Sequence, residues 1–179
     1  PVSKMVTFSI LWSDNQLADR LARAAARVKY GASDQLALQN TFVAALSEYG
    51  INVIGLNAID GSGLSRDNKV SVRTIAEVLM QIRKDPLFAP IYEGLPISGK
   101  TGTLKNRFIT TAPNAVGLVH AKTGFINTTV SLAGYVTVES KEYIFAVIAD
   151  KLEPKWVARN RARETIDAML GTIAQPATP

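Results

Sequence analysis

The sequence has 179 residues, of which 47% are hydrophobic, and this predicts one domain, or a large piece of one, with a sizeable core. Its formal net charge is +5, but the basic residues are scattered, so we predict an ordinary solvated surface and no nucleic-acid partner. The lack of cysteine excludes disulfides and thiolate metal sites, and one histidine gives no material for a histidine-based metal cluster. We expect no metal, no cofactor and, since no apolar run reaches roughly 18 residues, no transmembrane segment.

Several segments carry apolar residues at helical spacing. The first, Ser3 to Trp12, is largely apolar and predicts a short buried helix. Three further helices are bounded by capping residues, glycine or proline: one ends at Gly31, one runs from Ser33-Asp34 to Gly50, and one runs from Ser71 to Asp85. A last helix is expected from Trp156 to Ile173.

The hydrophobic period changes after a Pro- and Gly-rich loop that ends at Pro113. Gly117–Ile126, Val130–Val138 and Tyr143–Ala149 are rich in Val, Ile, Tyr and Phe and predict three strands. Their short connections favour antiparallel hairpins, so the expected fold class is α+β, an antiparallel sheet flanked by helices. Three strands with two open edges make a poor sheet, so we expect further strands from sequence outside this chain.

Two triplets of a known active-site signature occur in this sequence. Penicillin-binding proteins and class A β-lactamases combine Ser-x-x-Lys, Ser-Asp-Asn and Lys-Thr-Gly. Ser13-Asp14-Asn15 lies at a predicted helix start, and Lys122-Thr123-Gly124 lies on a predicted strand. Each residue also has a plain interpretation, because Ser13 with Gln16 fits a helix capping box and Lys122 alone fits a surface lysine. His120 is interpreted as a partly buried polar residue of the same strand.

A wider resemblance favours the active-site interpretation. The chain resembles the class C low-molecular-mass penicillin-binding proteins, D-Ala-D-Ala carboxypeptidases of the peptidase S13 type, from Pro1 to about Leu170. The segments that carry the resemblance are Trp12-Ser13-Asp14-Asn15, Asp60-Gly61-Ser62-Gly63-Leu64-Ser65-Arg66, Gly102-Thr103-Leu104-Lys105-Asn106-Arg107-Phe108, Ala121-Lys122-Thr123-Gly124 and Leu132-Ala133-Gly134-Tyr135. It implies the penicillin-binding transpeptidase fold, incomplete here without an N-terminal half.

The resemblance also implies roles for six residues. Ser13 and Lys122 would be catalytic, Ser13 by relaying a proton to the departing D-Ala amine and Lys122 by bringing positive charge to the substrate carboxylate and the proton network. Four residues would bind substrate: Asn15 through its amide, Thr123 through its hydroxyl, Gly124 by leaving the strand edge open, and Phe125 through its backbone N–H as an oxyanion donor. Ser62 and Arg66 are expected only to support the site.

The nucleophile is not in this sequence, because no serine has a lysine three positions on. The resemblance therefore implies an acyl-enzyme carboxypeptidase or endopeptidase whose Ser-x-x-Lys lies upstream, so this chain alone is expected to be inactive. Residues 1–174 would be the C-terminal part of the penicillin-binding domain, and 175–179 a tail. The expected partners are the protein's own N-terminal half, peptidoglycan stem peptides and β-lactam antibiotics, and the expected location is extracytoplasmic, in the periplasm or cell wall.

Two alternatives stay open. Residues 94–101 match the Walker A pattern of P-loop nucleotidases, although no predicted strand precedes them and Gly102 interrupts a helix start. The same segment contains a second Lys-Thr-Gly, at Lys100-Thr101-Gly102, in a loop rather than on a strand. The missing nucleophile also permits a non-catalytic binding module with a penicillin-binding fold.

Overall fold

The computed structural model describes residues 1–175, in which six α-helices and three β-strands form an α+β fold, as predicted. The predicted tail is residues 175–179, and four of these residues, 176–179, lie outside the described part. The helices and strands follow in chain order: α1 (Val2–Trp12), α2 (Asn15–Tyr30), α3 (Gln35–Glu48), α4 (Val72–Lys84), α5 (Ala89–Glu93), β1 (Val119–Ile126), β2 (Thr129–Val138), β3 (Lys141–Ala149) and α6 (Trp156–Ile173). Of the helices in this part of the chain, none combines the length and hydropathy of a bilayer span.

The three strands form one antiparallel sheet in the order β1-β2-β3, which confirms the predicted hairpins. In the register, Lys122 lies opposite Ala133, and Gly124 lies opposite Ser131. The outer edge of β1 is paired only at its start. There the preceding loop forms a hydrogen bond, in which Ser98 N donates to Val119 O at 2.9 Å. The rest of that edge, toward Phe125, has no strand beside it within residues 1–175.

Side chains on the two faces of the sheet pack into two separate clusters. On one face, Val119, Leu132 and Val136 are fully buried against residues of α6 such as Ile166 and Leu170. On the other face, a smaller cluster contains Leu79 and Ile82 of α4 with Leu95 and Tyr135. The Tyr135 hydroxyl donates to Leu79 O at 2.7 Å, which pairs the polar end of that buried ring. Alternation along the strands therefore makes a three-layer arrangement, with the sheet between α6 and α4.

The prediction that the first helix is buried is wrong. Met5, Phe8 and Trp12 of α1 are exposed along one side of the helix, and Ser9 is its one buried residue. The opposite side packs on α5 and on the short 3₁₀ helix Gly102–Leu104. The largely apolar composition of α1 favoured burial, whereas the described part of the chain covers only one side of the helix.

One buried ion pair fastens the loop before β1 to α6. Arg107 Nε donates to Asp167 Oδ2 at 3.3 Å, and a second guanidinium nitrogen pairs with the other carboxylate oxygen. Both side chains are almost completely buried, at 6% and 4% exposure. A charge left alone in such a place is far more costly than the pair, so each residue depends on the other.

We expect Asp167→Ala to lower the free energy of unfolding by about 3–5 kcal/mol, because it leaves the Arg107 guanidinium buried without a partner. Urea unfolding measures this change. The matched control is Glu153→Ala, which removes an exposed pair with Lys155 and is expected to cost less than about 1 kcal/mol. An Arg107→Met/Asp167→Leu double variant should lose less stability than Asp167→Ala, and a larger loss in the double variant would contradict this account.

Candidate active site

Ser13 occupies the junction of α1 and α2 in a left-handed backbone conformation. Its φ is 56° and its ψ is 46°, and its N–H closes the last turn of α1 on Ser9 O. The plain alternative, in which Ser13 caps the start of α2, does not hold, because the N-cap of α2 is Asp14, whose carboxylate accepts from Leu17 N at 2.9 Å. A non-glycine residue in this region costs roughly 1 kcal/mol or more, so the junction holds Ser13 in a strained position.

Lys122 of β1 reaches across to that serine. Its Nζ donates to Ser13 Oγ at 2.7 Å and to the backbone oxygen of Thr123 at 2.7 Å. Burial of the ammonium group lowers the pKa of Lys122 from 10.5 to about 8. The contact joins residues 109 positions apart and brings together the two triplets that the sequence singled out.

Asn15 is the first residue of α2 and lies exposed two positions after Ser13. Its side-chain amide makes no hydrogen bond within residues 1–175, so it is available to a ligand at this end of the helix. Asp14, between the two, is used as the cap and faces its own helix. The Ser-Asp-Asn triplet thus presents Ser13 and Asn15 outward while Asp14 organises the backbone.

The backbone of β1 presents donors along its free edge. Ala121 N donates outside the sheet, to Pro96 O at 3.0 Å. Strand N–H groups alternate in direction, so those of Thr123 and Phe125 point to the same open edge. Gly124 lies between them, and a Cβ there would collide with Ser131 Oγ on β2. A larger residue at position 124 would therefore need the Ser131 hydroxyl to move, a contact that the sequence alone did not reveal.

Three residues near this edge had no role in the sequence interpretation. Thr103 Oγ1 lies 2.9 Å from Thr123 Oγ1, so one hydroxyl donates to the other. Arg159 and Arg163 of α6 stack on the Phe125 ring, with guanidinium carbons 4.9 Å and 5.9 Å from its centroid. Thr103 lies in the run Gly102 to Phe108 that carried the family resemblance, whereas no local pattern marked the two arginines.

His120 points to the same face of β1 as Lys122, as period two requires. Its ring stacks on Tyr92 at 5.7 Å between centroids, and burial lowers its pKa below the usual value. It makes no hydrogen bond to Ser13 or Lys122 in the described residues. His120 therefore packs beside the candidate site. Within residues 1–175, no group of three His, Asp or Glu side chains could hold a metal ion.

The loop Asp60–Gly63 is a polar scaffold that rests on α2. The Asp60 carboxylate accepts from the Ser62 hydroxyl at 2.8 Å and from backbone N–H groups of Gly63 and Ser65. Burial tends to raise the pKa of Asp60, but these hydrogen bonds outweigh it and lower the pKa to about 2. The N–H of Gly61 donates to Asp19 of α2 at 2.9 Å. Ser62 thus serves the loop itself, while Arg66 is exposed.

The segment that matches Walker A has a different context from a phosphate-binding loop. Gly94 follows α5 rather than a strand, and the three-residue 3₁₀ helix Gly102–Leu104 comes after the segment. Thr101 of the second Lys-Thr-Gly accepts from Ile97 N at 2.9 Å through its hydroxyl, and Lys100 is exposed. No helix N-terminus faces a ligand here, so the geometry lacks what a P-loop needs.

Comparison with known proteins gives one consistent result. The profile of the D-Ala-D-Ala carboxypeptidase 3 (S13) family matches residues 1–174. Carboxypeptidase DacB of Mycolicibacterium smegmatis is 32% identical over 166 residues, which are 90% of this chain and 35% of that protein. D-alanyl-D-alanine carboxypeptidase DacB of Haemophilus influenzae is 38% identical over 126 residues, 70% of this chain and 26% of the relative. The chain thus spans between about a quarter and about a third of the length of these curated relatives.

Solved structures agree with the fold. The crystal structure of Haemophilus influenzae penicillin binding protein 4, complexed with a novel β-lactam, has a TM-score of 0.86 and 28% identity, over 98% of this chain and 42% of that one. A predatory endopeptidase of Bdellovibrio bacteriovorus, acylated by penicillin G, has a TM-score of 0.75 at 19% identity, over 97% of this chain and 45% of that one. At that identity the second likeness supports the fold alone.

The left-handed conformation of Ser13 predicts an unusual pair of stabilities. Ser13→Gly and Ser13→Ala both delete the hydroxyl that accepts from Lys122, so they differ only at the backbone. We expect Ser13→Gly to unfold with a free energy about 1 kcal/mol higher than Ser13→Ala, because glycine adopts positive φ without steric cost. Urea unfolding of both variants decides the matter. Equal stabilities, or a more stable alanine variant, would mean that Ser13 is not held in this conformation.

Proposed function

The chain belongs to the D-Ala-D-Ala carboxypeptidase 3 (S13) family, and we propose that it supplies two of the three active-site motifs of a serine-type D-alanyl-D-alanine carboxypeptidase. The observation that carries the proposal is the 2.7 Å hydrogen bond from Lys122 Nζ to Ser13 Oγ. It brings Ser-Asp-Asn and Lys-Thr-Gly into contact beside an open strand edge, where a peptide could bind. The proposed substrate is the D-Ala-D-Ala end of a peptidoglycan stem peptide, and endopeptidase action on crosslinks belongs to the same proposal.

The direction of the Lys122–Ser13 hydrogen bond fits proton delivery to a leaving group. Because Lys122 Nζ donates to Ser13 Oγ, the Ser13 hydroxyl hydrogen is left to point elsewhere. When the serine of an upstream Ser-x-x-Lys attacks the scissile carbonyl, the lysine of that motif takes the proton of the serine hydroxyl. The bond to the terminal D-Ala nitrogen then breaks, and that nitrogen requires a proton. Ser13 donates its hydroxyl proton there and takes one from Lys122, whose pKa of about 8 leaves the amine mostly protonated near pH 7.

Substrate recognition would use the remaining residues of the edge. Lys122 and the Thr123 hydroxyl face the terminal carboxylate, which accepts hydrogen bonds only. Phe125 N–H lies on the open edge and would donate to the developing oxyanion, together with the N–H of the nucleophile itself. Asn15 would bind the amide carbonyl of the peptide through its free side-chain amide. Gly124 has no side chain that could obstruct the edge of β1, so the edge can accept the substrate as an added strand.

The proposal requires a second part of the active site. We propose that residues 1–174 form the C-terminal part of the penicillin-binding domain and dock with an N-terminal half that carries Ser-x-x-Lys. The exposed apolar side of α1, with Met5, Phe8 and Trp12, supports such docking, as does the outer edge of β3, which has no strand partner in residues 1–175. A peptidoglycan substrate places the enzyme outside the cytoplasm, in the periplasm or cell wall.

Intact mass spectrometry after exposure to penicillin G tests the function. We propose acylation by β-lactams, in keeping with the Haemophilus influenzae relative that was solved with a β-lactam bound. The expected result is a penicilloyl adduct on the polypeptide that carries Ser-x-x-Lys when this chain is present, and none on this chain alone. An assembled protein that forms no adduct would instead support a non-catalytic binding module.

The two Lys-Thr-Gly triplets provide a matched pair of variants. In the assembled protein, Lys122→Ala is expected to slow acylation by penicillin G roughly 10²-fold, because it removes a charged donor from the reacting groups. Lys100→Ala changes an exposed lysine in a loop and should leave the acylation rate unchanged. Stopped-flow or mass-spectrometric acylation kinetics give both rates. If Lys100→Ala were the slow variant, Lys122 would be removed from the site.

A further inference from the structure

Two threonine hydroxyls meet at the free edge of β1. Thr103 Oγ1, on the short 3₁₀ helix Gly102–Leu104, lies 2.9 Å from Thr123 Oγ1 of the Lys-Thr-Gly motif. Within residues 1–175 neither hydroxyl has another side-chain or backbone hydrogen-bond partner. We propose that Thr103 is a positioning residue that aims the Thr123 hydroxyl at the carboxylate of the substrate. This inference rests on the proposed function, since it assigns a specificity role within the same site.

The direction of the hydrogen bond between the hydroxyls follows from the chemistry of the ligand. Either threonine could donate to the other in the free protein. A carboxylate can only accept, so Thr123 must spend its single hydroxyl proton on the substrate. Thr103 must then donate to Thr123 Oγ1, which makes a chain from Thr103 through Thr123 to the carboxylate. Hydrogen bonds in such a chain polarise one another, so Thr103 strengthens the contact as well as orienting it.

The loop places Thr103 with little freedom. Its preceding residue, Gly102, has a φ of +51°, and a Cβ at that position would collide with Leu11 O of α1. Its following residue, Leu104, is fully buried in the core on the α6 face of the sheet. Thr103 is thus fixed between a backbone contact with α1 on one side and a core anchor on the other. The Gly102 contact lies two residues before Ser13, so one packing arrangement positions both Ser13 and Thr103.

Thr123 is held from a second direction as well. Lys122 Nζ donates to Thr123 O at 2.7 Å, which restrains the backbone, while Thr103 restrains the side chain. Both restraints favour binding, because a hydroxyl that is already oriented toward the ligand loses less conformational entropy when the ligand binds. The second Lys-Thr-Gly, at residues 100–102, also contributes to this arrangement. Its glycine, Gly102, makes the turn that carries Thr103.

A purely structural role for Thr103 is the competing interpretation. In that case the hydroxyl pair would only join the 3₁₀ helix to β1, and its loss would affect stability and every ligand alike. The two roles differ in their dependence on the carboxylate. Penicillin G carries the carboxylate that Thr123 would bind, whereas its methyl ester has the same reactive ring without that charge.

The experiment compares acylation of the assembled protein by penicillin G and by its methyl ester. Thr103→Val keeps the shape of the side chain and removes the donor, and we expect it to slow acylation by penicillin G about fivefold to tenfold. The rate with the methyl ester is expected to stay within about twofold of the parent rate. Thr103→Ser restores a hydroxyl and should recover most of the penicillin G rate. Thr111→Val is the matched control, because its buried hydroxyl makes no hydrogen bond, and it should change neither rate.

Four results would overturn the inference. Equal slowing with the acid and the ester would assign Thr103 a structural role, and so would an unfolding midpoint that falls in proportion to the rate. Unchanged rates in Thr103→Val, with a parent protein that is acylated normally, would leave the proposed function standing and remove Thr103 from it. A parent protein that penicillin G does not acylate would overturn the proposed function and this inference together.

Discussion

The hydrogen bond from Lys122 Nζ to Ser13 Oγ is the contact on which the arrangement of the site depends. It joins the turn between two helices to a strand 109 residues later, and it takes a lysine ammonium group largely out of water. That burial is unfavourable, since it lowers the pKa of Lys122 to about 8, and the hydrogen bonds to Ser13 Oγ and Thr123 O only partly offset it. A buried cation with few partners is a costly arrangement for folding alone, and such groups cluster at functional sites.

The rest of the fold supplies the rigidity that this contact needs. α1 ends in the left-handed residue Ser13, and the same helix is packed against the turn at Gly102, which carries Thr103 to the edge of β1. The buried pair of Arg107 and Asp167 then fastens the following loop to α6. Strain at Ser13 and burial of Lys122 are thus opposed by tight backbone contacts and a buried ion pair. In the proposed assembly, the exposed side of α1 and the open edge of β3 are the surfaces that would contact the N-terminal half.

Local patterns in the sequence were sufficient for most of the fold. The three strands and the helix Trp156–Ile173 follow from period and residue type, which depend on neighbouring residues alone. Ser13 and Asp14 are both good N-terminal caps by residue type, and only the backbone geometry assigns the cap of α2 to Asp14. Composition alone likewise could not predict that one side of α1 is exposed, because exposure depends on which other elements pack against the helix. The hydrogen bond between Thr103 and Thr123 joins a short 3₁₀ helix to strand β1 through tertiary packing, for which a single sequence has no local signal.

The most direct test of the central claim is the pKa of Lys122. It can be measured by NMR from the Cε chemical shifts of the lysines between about pH 6 and about pH 12, a range that spans the ordinary lysine pKa. A Lys122→Met variant assigns the resonance, because one signal disappears from its spectrum. The account predicts that this lysine titrates at about pH 8, below the ordinary value of 10.5, since burial against Ser13 disfavours its charged form. A Lys122 that titrates at the ordinary value of 10.5 would mean that it is solvated and does not make the contact with Ser13, and the account of the site would be contradicted.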